Sequence, residues 1–152
     1  MKKFIILAIA LVCVIGLIIC SNILPKKQFV SNGNSHSDVE GVFVVVDSIN
    51  YYRDKTTLTV SWNNKTKHQV LYGAMFGIER LVDGKWIDCS IGDNVFALIG
   101  YSLNENESVK KEHLLTDMFD ISKSGTYRFC SDYSLLGDEK ECSVWTEFVI
   151  ES

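Results

Sequence analysis

The stretch "YGAMFGIERLVDGKWIDC", Tyr72 to Cys89, decides how this chain folds. Its residues alternate in character, break at Asp83-Gly84 and resume with Trp86. Alternation with a period of two is the mark of a strand with one buried face, and Asp-Gly between two such runs marks a hairpin. Two registers fit. A two-residue loop places Glu79 opposite Asp88, and like charges directly across a ladder repel. A three-residue loop, Val82-Asp83-Gly84 with Gly84 left-handed, places Arg80 opposite Trp86 and Glu79 opposite Ile87. The second register is expected, because it removes the repulsion and adds a cation–π contact of about 0.5–1 kcal/mol. Gly73 and Gly77 then leave room for a neighbouring backbone or a large side chain. They are isolated, with no Lys-Ser/Thr after them, and do not read as a phosphate loop.

Outward from the hairpin, the chain reads as short strands separated by polar turns. "VEGVFVVVDSINY" (39–51) is a β-branched run, and "TTLTVSWNN" (56–64) places Leu58, Val60 and Trp62 on one face. Residues 68–81 and 85–89 form the hairpin. Residues 95–103, 107–115, 126–133 and 142–151 follow. "LLTDMF" (114–119) reads as a single helical turn between strands. Seven or eight such strands predict an all-β fold, an antiparallel β-sandwich over residues 39–152.

The N-terminus is of another kind. Lys2 and Lys3 precede an uncharged run from Phe4 to Cys20, which Ile23 and Leu24 prolong to Pro25. About 17–25 apolar residues cross a bilayer as a helix, so residues 1–24 are expected to be a hydrophobic helix that acts as signal anchor or signal peptide. Three fates stay open: retention as an anchor, cleavage near Cys20 or Ser21, and lipidation of Cys20. Leu17 suits a lipoprotein cleavage site and Ile19 does not. "PKKQFVSNGNSHSD" (25–38) is polar and reads as a flexible tether.

Charge divides the chain at the same place. Four of the 15 basic residues and none of the 19 acidic ones precede Asp38, which leaves 11 against 19 and a net charge of −8 for the remainder. A surface of that sign excludes nucleic acid as the expected partner, because phosphates need clustered Lys and Arg. The expected partners are the membrane, through the N-terminal segment, and an unidentified protein.

No catalytic constellation is present in the pattern of residues. His36, His68 and His113 do not stand at metal spacing, and Gly-x-Ser-x-Gly is missing. Glu112-His113 reads as a solvated strand surface, and Asp138, Glu139 and Glu141 as a solvated turn. No enzyme activity, metal or cofactor is expected. Cys130 and Cys142 flank the last hairpin. A disulfide between them would close a loop of about a dozen residues and add roughly 2–3 kcal/mol. Cys89 would remain free or buried.

Gly125-Thr126-Tyr127 has the form of a tyrosine corner, in which the Tyr127 hydroxyl ties back to nearby backbone. Together, "TTLTVSWNN", "YGAMFGIERLVDGKWIDC", "IGYSLNENES" (99–108), "GTYRF" (125–129) and "EFVIE" (147–151) resemble the bacterial immunoglobulin-like domains of Gram-positive membrane-anchored proteins and lipoproteins. The resemblance runs from about Val39 to Glu151. It implies an extracytoplasmic sandwich and no activity, and it carries no catalytic residue over to this chain. The expected role is a membrane-tethered, non-catalytic module for protein interaction or sensing, with Trp86, Tyr101 and Trp145 as its candidate surface. The alternative is a lipoprotein that binds a small ligand or inhibitor in a pocket at one end of the sandwich.

Overall fold

The computed structural model describes residues 28–151. The expected N-terminal helix and the Cys20 lipidation site lie outside these residues. Among the described residues there are ten strands and no helix: β1 (Gln28–Ser37), β2 (Val42–Tyr52), β3 (Lys55–Asn64), β4 (Val70–Gly73), β5 (Gly77–Val82), β6 (Lys85–Asp88), β7 (Gly100–Leu103), β8 (Ser108–Leu114), β9 (Gly125–Leu135) and β10 (Cys142–Glu151). They form two antiparallel sheets. The larger runs β1-β10-β9-β4-β7, with β5 also on β9 and β6 on β5; the smaller runs β2-β3-β8.

The alternation seen in the sequence becomes the core. Val42, Val44 and Val46 from β2 and Leu58, Val60 and Trp62 from β3 face Tyr127, Phe129, Val144, Phe148 and Ile150 of the large sheet, all buried. Trp62 stacks on Tyr72 at 4.2 Å between ring centroids and meets the edge of Tyr133 at 6.5 Å, which joins the two sheets through one aromatic stack. The Tyr127 hydroxyl donates to the Lys123 carbonyl at 2.6 Å, four residues upstream. This closes the corner before β9 and satisfies a hydroxyl that would otherwise be buried at a cost.

Three expectations about the chain's organisation are corrected. Residues 28–37 are a strand, not part of a tether. Phe29 packs on Phe148 at 6.2 Å, and the polar remainder of β1 is held by ladder bonds to the otherwise open edge of β10. Residues 68–81 are two strands, not one. Both β4 and β5 pair with β9, but Tyr72 stands opposite Tyr133 and Gly77 opposite Cys130. Five steps on one side match three on the other, so the chain bulges between Gly73 and Gly77. The buried Ser131 hydroxyl donates to the Met75 carbonyl at 2.9 Å and satisfies the bulge. The two glycines therefore bracket a bulge. A Cβ at Gly77 would meet nothing within 4 Å, so that glycine makes no room for a neighbour.

The third correction is the hairpin register. Glu79 pairs with Asp88, Leu81 with Trp86 and Val82 with Lys85, leaving Asp83-Gly84 as a two-residue loop. Both loop residues have positive φ, 49° and 77°, as a type I′ turn requires. The carboxylate repulsion that argued against this register is answered from outside the hairpin, by Arg128 on β9. "LLTDMF" does make a single turn: the Met118 and Phe119 amides both donate to the Leu115 carbonyl at 3.0 Å.

Candidate functional site

The outer face of the large sheet, turned away from β2-β3-β8, carries a row of aromatic and cationic side chains. On β9, Tyr127, Phe129, Ser131 and Tyr133 point inward, which sends Arg128, Cys130 and Asp132 outward. On β10, Trp145 and Glu147 point outward between the buried Val144, Thr146 and Phe148. The β5–β6 register brings Trp86 to the same face, opposite Leu81.

Arg128 is the centre of the row. Its guanidinium carbon lies 4.5 Å from the Trp86 ring centroid and 5.6 Å from that of Trp145. Its Nε is bonded and ion-paired to the Glu79 carboxylate, on which the Cys130 thiol also converges at 3.8 Å. His36 on β1 stacks on the far side of Trp145 at 5.8 Å, and its Nε2 lies 3.3 Å from the Asp38 carboxylate. Asp38 in turn accepts the Ser143 amide at 2.8 Å, and that bond together with His36 lowers its pKa. Four strands thus contribute to one continuous arrangement, Trp86–Arg128–Trp145–His36. Both tryptophans remain partly accessible to solvent, and Leu81 and Val30 are exposed on the same face.

Arg80 does not take the place expected of it beside Trp86. It turns inward, donates from Nη2 to the Ser124 carbonyl at 2.9 Å and lies 6.0 Å from the Tyr127 centroid. A Cβ at Gly125 would sit 3.2 Å from Arg80 Nε, and φ there is +146°, so the corner fits glycine on two counts. The cation on Trp86 comes instead from the neighbouring strand, a contact that no spacing within the hairpin reveals.

Tyr101 belongs to a different place. On β7 it lies 5.4 Å from Tyr72, with the Lys111 ammonium 3.5 Å above its ring. The structure therefore brings two of the three candidate surface aromatics together and sets the third apart.

The three cysteines among the described residues offer no reactive centre. Cys130 stands opposite Trp145, and Cys142 opposite Tyr133, so the two are not cross-strand partners. Cys130 faces outward and Cys142 faces the core. That overturns the expected disulfide, because opposite faces of a sheet put the Cβ vectors apart. Cys89, Cys130 and Cys142 are all free thiols. Burial pushes Cys89 up to about 11 and Cys130 to about 12, which keeps both protonated at neutral pH.

His113 corrects the reading of a solvated surface. β8 sends Val109, Lys111 and His113 to its inner side, where the imidazole packs 4.5 Å from Phe76 and 5.4 Å from Phe129. Its Nε2 is buried without a hydrogen-bond partner, and burial followed by the charge on Lys111 lowers its pKa to about 4. Among the described residues, no group of three or more His, Cys, Asp or Glu side chains is placed to hold a metal ion. None of them forms a helix long and apolar enough to cross a membrane.

A search of curated proteins finds no match to the chain. A comparison with protein families matches residues 38–148 to the family described as "Bacterial Ig-like domain", a span that runs from Asp38 through Phe148 and excludes β1. With two antiparallel sheets, the Tyr127 corner and that match, the chain belongs to the bacterial Ig-like domain family.

Proposed function

We propose that this protein is a membrane-tethered, extracytoplasmic and non-catalytic module that binds a protein partner through the outer face of its large sheet. One observation carries the reading: Arg128 is held between Trp86 and Trp145 with both indoles still partly accessible. Trp and Arg are the residues that dominate binding energy at protein interfaces, and here neither is needed to close the core. Leu81 and Val30 extend the apolar area, while Asp88 and Glu147 supply a polar rim. The N-terminal apolar segment supports the tether, and membership of a non-catalytic type of module supports binding over chemistry. The acidic surplus of the domain disfavours nucleic acid.

A photo-crosslinking residue at position 81, beside Trp86, tests the surface in intact bacteria. The expected result is one discrete protein adduct that disappears when Trp86 and Trp145 are both changed to Ala. The same residue at position 54, in the β2–β3 turn, gives no such adduct. An adduct equal at both positions, or one that survives the double change, refutes the surface. Protease added to the same intact cells should remove the domain. Protection equal to that of a cytosolic marker refutes the topology.

A further inference from the structure

The sheets part along one side, where β7 ends the large sheet and β8 ends the small one. A cavity of about 250 Å³ opens there. Its walls are Tyr72, Phe76, Phe96 and Tyr101, with Lys111 and His113 reaching in from β8. Phe96 comes from the segment between β6 and β7. It packs 5.3 Å from Phe76, while its neighbours Val95 and Leu98 stand out in solvent.

Two polar features of this cavity are unspent. Lys111 rests on the Tyr101 ring, and no carboxylate lies within ion-pair distance of it among the described residues. In a domain with a surplus of eight negative charges, a half-buried lysine without a counter-ion is out of keeping with its surroundings. Glu112 reaches the rim, but it is exposed and alternates to the other face of β8. The second feature is the buried imidazole of His113, whose Nε2 has no partner. A buried polar atom of this kind costs free energy until something bonds to it.

We propose that this cavity binds a small apolar carboxylate, with the carboxylate at Lys111 and the apolar body against Phe76 and Phe96. The site is independent of the outer face and does not rest on the docking role. The volume sits below the usual range for ligand pockets, about 300–1,000 Å³, so the ligand is small. The single cation fits a monoanion, because a phosphate dianion would bring a second charge into aromatic walls with nothing to meet it. The aromatic rings favour a flat or unbranched body over a polyol.

Benzoate and benzyl alcohol, an uncharged molecule with the same ring, test the assignment on the full chain in a nonionic maltoside detergent. The readout is the His113 ring resonance. The expected result is a saturable shift, with benzoate bound at least about tenfold more tightly than benzyl alcohol. Lys111→Met should abolish that preference and Lys111→Arg should keep it. The absence of a saturable shift up to about 20 mM, or equal affinity for the two probes in the unaltered chain, overturns the proposal. So does a preference that survives in Lys111→Met. The ratio in the unaltered chain decides the matter even where a variant does not fold.

Discussion

Glu79 stands directly opposite Asp88 in the β5–β6 ladder. Across a single ladder rung two carboxylates repel, and the hairpin alone would shift its register to avoid them. Arg128 on β9 takes the Glu79 carboxylate in an ion pair and lies over Trp86 at the same time. The hairpin register is therefore set by the third strand. Replacing Arg128 with Met removes the ion pair, the two indole contacts and the compensation of the carboxylate pair. The expected loss is about 1.5–3 kcal/mol, less than for a fully buried pair because both side chains retain some exposure. Urea unfolding measures it. Adding Glu79→Gln to Arg128→Met should recover part of the loss; a strictly additive double variant would show that the two residues are not coupled.

The turn at the other end of this hairpin separates two-residue from three-residue geometry. Asp83 and Gly84 both have positive φ. Gly84→Val should cost more than about 1 kcal/mol, and Asp83→Val should also destabilise, because each forces a β-branched residue into the left-handed region. Asp83→Asn should be nearly neutral, since Asn suits that conformation equally well. A Cβ at Gly84 meets no atom within 4 Å, so the effect at that position is conformational and not steric crowding. Thermal melts of the variants check this. Asp83→Val melting with the unaltered protein would mean that only one residue of the turn is left-handed.

The physical reach of sequence patterns explains which features were legible. Alternation marked the core faces of β2, β3, β9 and β10, and Trp62 and Tyr127 are buried in them. Asp83-Gly84 marked the turn. The register did not follow, because the cation that decides it, Arg128, lies 49 residues beyond its partner Glu79. β1 carries little apolar signal beyond Phe29 and Val30, and pairing with β10 orders it. On β8, the inward face reads Val109, Lys111, His113, which no polarity rule would place inside. The Arg128 row was half legible: Trp86 and Trp145 stood out as candidates, but only the ladder shows what lies between them.

Burial of His113 makes stability depend on pH. Its folded-state pKa is about 4 against an ordinary 6.5. Between those values the unfolded chain binds a proton that the folded chain does not. The contribution is therefore intact above pH 6.5, is lost as the pH falls toward 4, and changes no further below that. A shift of this size corresponds to a loss on the order of 3 kcal/mol. Carboxylates also titrate near the lower end, so the test is a difference. His113→Phe keeps an aromatic ring beside Phe76 and Phe129 and removes the proton site. Urea unfolding at pH 7 and pH 4.5 should show a smaller loss for His113→Phe than for the unaltered chain. Equal losses would mean that the imidazole is solvated.

Asn64 joins the end of β3 to the start of the turn after β7, and every polar atom of its amide is used. It is fully buried. Its Nδ2 donates to the carbonyls of His68, Leu103 and Asn104 at 2.8, 3.1 and 3.0 Å, one hydrogen being shared between two acceptors. Its Oδ1 accepts the Thr66 amide at 2.9 Å and the Thr66 hydroxyl at 2.7 Å. The side chain thus ties the 64–68 turn of the small sheet to the end of β7 in the large one. Asn64→Asp is nearly isosteric, yet it turns the side chain's only donor into a second carboxylate oxygen aimed at three carbonyl oxygens. A carboxylate there is fully buried, and its charge is taken out of water. The expected cost exceeds about 3 kcal/mol at neutral pH, and the variant should recover in part as acid protonates the new carboxyl and restores one donor. Asn64→Ala takes one donor from each of three carbonyls, although His68 keeps the Thr66 hydroxyl and Asn104 keeps the Glu107 amide, and it takes the side-chain acceptor from the Thr66 amide. The cost is about 2–3 kcal/mol with no charge added. Asn64→Asp should therefore be the less stable of the two at pH 7, with the difference narrowing toward pH 5. Asn64→Asp unfolding at the same urea concentration as the unaltered protein would show that the amide is open to water, and that the link between the sheets lies elsewhere.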